Sequence, residues 1–325
     1  MASFLVTGGA GFLGSHLVDA LLERGDRVRV LDDLSSGKRQ NLPRHVQFLQ
    51  ADVTDSRAVA EAIEGVDACF HLAAIASVAR SNRDWLRTHE VNLTGLLNIL
   101  DQARRHRQVP VVYASSAAVY GDCPVIPIGE HAPVAPLSAY GADKAACELH
   151  ARVAGAVHAI PTVGLRFFNL YGPRQDRCSP YSGVIALFAE RLSRGAPVEI
   201  FGDGRQVRDF TYVGDAVIAL RRALDAVSTN APVFNVCTGK GTTVCALAET
   251  MARIYQTEFA AVYRPARSGE VRISIGNPDR AVAQLGFRPK TTLSEGLAIT
   301  LDPSGAPTQI AAHRRLNLRR AGGRL

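Results

Sequence analysis

No run of apolar residues in this 325-residue sequence approaches the roughly 20 needed to cross a bilayer, which excludes a helical membrane span. The first residues, MASFLVTGGAGFLG, lack a charged start followed by a cleavage site, so the chain reads as cytoplasmic. The six cysteines (Cys69, Cys123, Cys147, Cys178, Cys237, Cys245) are scattered, with no CxxC pair and no Cys/His group at zinc-ligand spacing. Free thiols and no metal are therefore expected. Asn92-Leu93-Thr94 matches a glycosylation acceptor, but without a secretion signal nothing would act on it. No internal repeat is present. A net charge of +7 could suggest nucleic acid, yet residues 313–325 (HRRLNLRRAGGRL) hold five arginines and no acid. Most of the excess charge is thus in the tail, and with no nucleic-acid-binding motif elsewhere no such partner is expected. From Asp302 onward Pro, Gly, Ala and Arg dominate without periodicity, which predicts poor order.

What is present is a large apolar fraction, 47%, enough to bury one large domain or two joined ones. Short apolar runs alternate with helical patterns: SFLVTG, LGSHLVDALLERG, VRVLDD, VQFLQAD, ACFHLAA, VPVVYASS and PTVGLRFFN. Strands so continuously apolar are covered on both faces, and their alternation with helices predicts a Rossmann-like, doubly wound parallel sheet of the α/β class. After NLYGPRQ the pattern loosens. A helix near Val184 to Ser193 and the segment VEIFGDG then suggest a smaller substrate-binding lobe. A helix over Val213 to Val227 and a strand over Val233 to Val236 fit back on the first sheet. The expected division is 1–170 with about 211–236 returning for the first lobe, about 171–210 and 237–303 for the second, and a basic tail over 304–325.

Between the first strand and helix stands TGGAGFLG, with Gly8, Gly11 and Gly14 spaced as GxxGxxG. A tight turn and a close approach of backbone to pyrophosphate leave no room for Cβ there, while the helix N-terminus supplies unpaired amides. The next strand ends at Asp32, where a carboxylate can accept from adenosine ribose hydroxyls. Asp32 and Asp33 would repel a 2′-phosphate, favouring NAD over NADP, although Lys38 and Arg39 weaken that preference. Asp52, after the third strand, is either an adenine-side contact or a loop or N-cap aspartate.

Tyr140 and Lys144 form a YxxxK pair in the helical segment SAYGADKAACELHARV, on one helix face. A tyrosine acting as base must ionise well below its unperturbed pKa of about 10, and one ammonium about 4 Å away at an effective dielectric of 20 supplies about 4 kcal/mol. Upstream, YASSAAVYG ends a strand with Ser115 and Ser116 at its carboxyl end, where ligands bind in such sheets.

The ordered set TGGAGFLG, LDDLSSGK, HLAA, EVNLTG, YASSAAVYG, YGADK, LRFFNLYGPRQ, IFGDGRQVRDF and RSGE resembles that of the extended short-chain dehydrogenase/reductase family. Within it the chain is most similar to the NAD-dependent epimerases and dehydratases of the UDP-glucose 4-epimerase kind. The resemblance implies Ser116, Tyr140 and Lys144 as catalytic residues, with Tyr140 the base. It implies cofactor contacts from Gly8, Gly11, Phe12, Leu13, Gly14, Asp32, Asp33, Ser36, Gly37, Asp52, Val53, Leu72, Ala73, Ala74, Asn92, Ser115, Tyr140 and Lys144. It further implies substrate contacts from Ser116, Asn169, Val184, Arg208, Arg267, Glu270 and Ser274, with Asn169 and the two arginines on the nucleotide diphosphate. A surface ion-pair partner is the lesser alternative reading of either arginine taken alone.

Related 4,6-dehydratases carry an Asp-Glu pair directly after the catalytic hydroxyl residue, and decarboxylases a glutamate at the second of those positions. Ala117 and Ala118 stand there in this sequence, and alanines perform no acid–base chemistry. Uronic-acid epimerases tend to carry threonine for Asn169 and an arginine just after PRQ, where this chain has Asp176. Ser274 stands at the family's size gate, leaving room for an N-acetyl group. The expectation is a UDP-sugar 4-epimerase that keeps its NAD and pairs as a homodimer through helices around Asn92 to Arg105 and Ala139 to Ala154. A net oxidoreductase on a nucleotide-linked keto-sugar, a different nucleotide-sugar epimerase and a non-catalytic NAD-sensing protein are the alternatives.

Overall fold

The computed structural model describes residues 1–176, 183–267 and 269–302. Cys178 and the tail over 304–325 lie outside the described residues. From the N-terminus run β1 (Ser3–Thr7), α1 (Phe12–Glu23), β2 (Arg27–Asp32), β3 (Gln47–Gln50), α2 (Ser56–Ile63), β4 (Ala68–His71), α3 (Val78–Arg83) and α4 (Trp85–His89). A π-helical turn at Glu90–Thr94 leads into α5 (Gly95–Arg105), then come β5 (Val111–Ser116), a 3-10 turn at Ala117–Tyr120, α6 (Ala139–His158) and β6 (Thr162–Phe167). The second half holds β7 (Asn169–Tyr171), α7 (Val184–Leu192), β8 (Val198–Phe201), β9 (Val207–Tyr212), α8 (Val213–Ala223) and β10 (Val233–Val236). After these come β11 (Gly241–Thr243), α9 (Val244–Ile254), β12 (Ala261–Arg264), β13 (Ile273–Ser274), α10 (Asp279–Leu285) and α11 (Leu293–Leu301).

Seven strands form one sheet in the order β10-β6-β5-β4-β1-β2-β3, every neighbouring pair parallel. This is the Rossmann-like doubly wound sheet that the alternating runs predict. Strands β4 and β6 are buried along their whole length, as two covered faces require. On one face Leu17, Val18 and Leu21 of α1 and Ala216 and Leu220 of α8 pack against Val6, Val30 and Val112. On the other, Val59, Ile63, Leu96, Ile99, Cys147 and Ala151 pack against Leu5, Cys69, Val111 and Tyr113. The strand order reverses between β1 and β4, and ligands of such sheets bind at that crevice.

A second core gathers Ile185, Phe188, Val198, Ile200, Phe210, Leu247, Met251, Leu297 and Leu301 around two small sheets, one of β11, β9, β13 and β7 and one of β12 and β8. Two local expectations change. The run over 161–169 is two strands: the Phe168 amide turns to the Val236 carbonyl at 3.1 Å, and Asn169 begins β7, which pairs with β9 instead. Phe168 is itself buried, beside Val119, Tyr120 and Ile128, so the sequence stays apolar across the break. The helix expected to reach Val227 ends at Ala223 and tightens into a 3-10 turn over Leu224–Ala226. Among the described residues no helix is long and apolar enough to cross a membrane.

Candidate active site

The path from β1 into α1 requires glycine at two positions. Gly8 has φ +67°, and a Cβ on it would stand 2.7 Å from the Ala73 backbone nitrogen; one on Gly14 would stand 2.2 Å from the Gly8 carbonyl oxygen. Gly11, the N-cap of α1, brings no side chain to satisfy the first amides of the helix, at Phe12 and Leu13. A Cβ there would meet only the Gly8 carbonyl, at 3.1 Å. The result is a helix N-terminus with an open cradle beside it, which fits the pyrophosphate of a dinucleotide.

Asp32, at the end of β2, is buried and accepts from the Ala10 amide at 2.9 Å and the Leu34 amide at 2.9 Å. Burial raises its pKa against the pull of those amides. Asp33 and Ser36 are exposed on the following loop, and Gly37 approaches Asp32 so closely that a Cβ would lie 2.7 Å from Oδ1. Lys38, one of the bases that weakened the preference for NAD, pairs with Asp176 at 3.6 Å. Asp52 lies past β3 beside buried Val53 and holds the Thr54 amide at 2.8 Å together with the Arg87 guanidinium. Burial works against its charge, yet those two partners hold its pKa below the usual range.

Leu72, Ala73 and Ala74 follow β4, and the first two are fastened to β1 by Thr7, whose Oγ1 accepts from the amides of Leu72 (3.2 Å) and Ala73 (3.3 Å). With its oxygen so engaged, Thr7 directs its proton to Nδ1 of His71 at 2.9 Å, which puts the ring proton on Nε2. That nitrogen is buried without a hydrogen-bond partner among the described residues. Burial, with Lys144 nearby, lowers the His71 pKa to about 3. Asn92 sits in the π-helical turn and spends its amide on the main chain of Ile75, accepting from its N–H at 2.8 Å and donating to its carbonyl at 3.3 Å. Its side chain is fully buried, so it holds the loop after β4 in place. Neither His71 nor Arg87 is singled out by any sequence spacing.

Helix α6 carries Tyr140 and Lys144. Ser138 caps it through the Gly141 amide at 3.1 Å, while Ser81 and Asn82 accept from the amides of Tyr140 (3.1 Å) and Ala139 (3.2 Å). Lys144 is buried, and its Nζ lies 5.9 Å from the centroid of the half-buried Tyr140 ring. The first turn of α6 presses on the segment after β5, for a Cβ on Gly141 would stand 2.5 Å from the Ala118 carbonyl oxygen. Ser116, which starts that segment, accepts from the Ala118 amide at 3.1 Å. The serine, tyrosine and lysine therefore belong to one packed unit.

Beneath them lies a polar network with no sequence forewarning beyond Glu148 standing four residues after Lys144. Ser115 Oγ donates to Glu148 Oε1 at 2.6 Å, and Glu148 takes both Nε (2.8 Å) and Nη2 (2.6 Å) of Arg166. Arg166 also donates to the Tyr120 hydroxyl, which donates to Asn235 Oδ1 at 2.6 Å. Burial opposes the charge of Arg166, but the Glu148 carboxylate more than offsets it and the pKa rises.

In the smaller sheets, Arg208 donates to Glu270 at 3.3 Å, and Ser274 lies beside it in the β13–β9 register. Burial lowers the Arg208 pKa. The exposed Arg267 stacks its guanidinium 4.0 Å from the centroid of Phe201, a ring that sequence reasoning did not select. Asn169 is exposed at the start of β7, and Val184 is partly buried at the start of α7. Among the described residues no cluster of His, Cys, Asp and Glu could hold a metal ion.

Residues 4–237 match a model of the NAD dependent epimerase/dehydratase family. The chain is 37% identical to a UDP-glucose 4-epimerase of Mycolicibacterium smegmatis, over 92% of this chain and 97% of that one. Its fold is similar to that of a UDP-glucose 4-epimerase of Thermotoga maritima solved with UDP-glucose, with a TM-score of 0.89 and 39% identity, covering 92% and 97% of the two chains. A UDP-glucose 4-epimerase of Thermus thermophilus solved with NAD gives a TM-score of 0.88 and 38% identity, covering 94% and 100%.

Proposed function

The chain belongs to the NAD dependent epimerase/dehydratase family, and on that footing we propose that it inverts C4 of a UDP-hexose through a 4-keto intermediate. The observation that carries this is the packed unit of Ser116, Tyr140 and Lys144 with Ala117 and Ala118 beside it. Ser116 holds the 4-hydroxyl and Tyr140 takes its proton, while Lys144, buried one turn along the same helix, orients the cofactor. Bound NAD supplies the acceptor, and afterwards the donor, of the C4 hydride, so the reaction is redox-neutral overall. Its pyrophosphate would be held at the Gly8–Gly14 cradle and the first turn of α1, its adenosine by Asp32 and Asp52.

With alanine at 117 and 118, no acid stands after Ser116 to eliminate water or assist decarboxylation. Proton traffic at C4 alone is what remains. Arg208 and Arg267 suit the diphosphate, since guanidinium forks match phosphate oxygens. Asp176 would repel a C6 carboxylate, which favours a neutral hexose, and Ser274 leaves room for an N-acetyl group. In this reading residues 1–170 with about 211–236 bind the dinucleotide, while about 171–210 and 237–303 bind the sugar nucleotide.

The protein acts as a cytoplasmic homodimer. Leu149, Val153 and Val157 line one face of α6 at exposures of 58%, 53% and 66%, an apolar stripe that a second copy would cover. Among the described residues five free thiols suit a reducing compartment.

Incubating the purified protein with UDP-, dTDP- and GDP-hexoses, while following sugar NMR and the absorbance of reduced cofactor, tests the proposal. Growth of the 4-epimer of a UDP-hexose without net reduction is the expected result, abolished by Tyr140→Phe. Stoichiometric reduction or oxidation of added cofactor would instead identify a net oxidoreductase.

A further inference from the structure

The proposed function puts the adenine end of the dinucleotide at Asp52, and the role drawn here for Arg87 rests on that placement. The main chain around Asp52 is fixed without any charge. Asn98 Nδ2 donates to the carbonyls of Val53 (2.9 Å) and Thr54 (3.1 Å), and Gly95 lets α5 approach so closely that a Cβ there would stand 2.7 Å from Val53 Cγ2. The Asp52 side chain is fixed separately. Its Oδ1 takes the Thr54 amide and its Oδ2 the Nη2 of Arg87, while Nη1 of Arg87 reaches Glu90 Oε2 at 3.2 Å. Arg87 and Asp52 are only 35% and 28% exposed, so solvent screens the pair less than an ordinary surface bridge. A carboxylate has about four acceptor directions, and the Thr54 amide, the Thr54 hydroxyl and Arg87 use three. The remainder can take an exocyclic amine.

We infer that Arg87 is a positioning residue for the adenine of the cofactor: by fixing the direction of the Asp52 carboxylate from α4, it keeps the dinucleotide in the protein between turnovers. A cycle that removes a hydride and returns it needs its cofactor held equally well in both halves. Such uniform holding is best placed far from the reacting carbon. Arg87 meets that condition through its partners, because it acts on the carboxylate that follows β3 and bonds Asp52 and Glu90 but neither Tyr140 nor Lys144.

The test uses the full-length protein with Arg87→Met, Arg87→Lys, Asp52→Asn and the Asp52→Asn/Arg87→Met double variant. Each is assayed for NAD carried through gel filtration and titrated with ADP-ribose and with nicotinamide mononucleotide. Arg87→Met is expected to weaken ADP-ribose about tenfold, the equivalent of about 1.4 kcal/mol, to leave nicotinamide mononucleotide unaffected and to reduce the NAD retained. Arg87→Lys, which keeps the charge without the fork, should fall between, and the double variant should bind ADP-ribose no more weakly than Asp52→Asn. Unchanged ADP-ribose affinity in Arg87→Met, even with lowered thermal stability, would overturn the inference while leaving the cofactor reading intact. Additive losses in the double variant would overturn it too, by showing Arg87 to act other than through Asp52. A wild-type protein that binds neither fragment would remove the cofactor reading and this inference together.

Discussion

At His71 the demands of fold and site meet in one side chain. Its pKa is lowered from 6.5 to about 3, by burial first and by Lys144 second, so the folded protein keeps the ring neutral where the unfolded chain protonates it. The unfolded state then binds the extra proton between pH 6.5 and about 3, and stability is complete above that window and declines as pH falls through it. The slope is up to about 1.4 kcal/mol per pH unit. Chemical denaturation of the wild type and of His71→Gln between pH 4.5 and 7.5 checks this: the wild type should lose stability more steeply on acidification. Parallel curves would show that His71 protonates as readily folded as unfolded. Tyr140, Lys144, Gly8 and Asp32 could be proposed from the sequence because the chemistry proposed for them depends on short spacings within a single element or turn. The sequence left His71 and Arg87 unread because their partners, Thr7 and Asp52, stand 64 and 35 residues away. Only the folded sheet brings them together.

Helix α6 is the element on which the site depends, since it carries Tyr140 and Lys144 and, one turn further, Glu148. Removing Glu148 would leave the Arg166 guanidinium, whose side chain is 4% exposed, buried without its counter-charge. Glu148→Ala is expected to lower stability by roughly 3–5 kcal/mol, read as a shift of the urea midpoint, whereas a Glu148→Leu/Arg166→Met pair should recover most of it. A single-variant loss under about 1 kcal/mol would mean that solvent reaches the pair. The elements themselves were readable where a strand ends in a glycine turn or a helix in a cap. They were misread where composition gave no punctuation, as at Phe168, where an apolar residue buried in one cluster joins strands of two different sheets.

On the scale of the molecule, the chain crosses from the large sheet to the smaller sheets and back. β10 returns to the edge of the seven-stranded sheet before β11 leaves it again. This interleaving brings Arg208, before β10, and Glu270, after it, into one ion pair, and the return to the large sheet was legible as periodicity returning after a looser stretch. The small strands β11 and β13 were not, because two or three residues carry too little pattern. The apolar stripe of α6 belongs to this scale as well. Val153→Glu with Val157→Lys is expected to convert the proposed dimer to monomer in light scattering, and an unchanged mass would move the interface elsewhere.

The measurement that bears most directly on the central claim uses UDP-glucose labelled with deuterium at C4. If Tyr140 takes only the hydroxyl proton and the hydride is removed and returned within one protein molecule, the UDP-galactose formed in water keeps its deuterium at C4. Loss of the label to solvent, or its dilution by a pool of unlabelled reduced cofactor added to the mixture, would contradict the account.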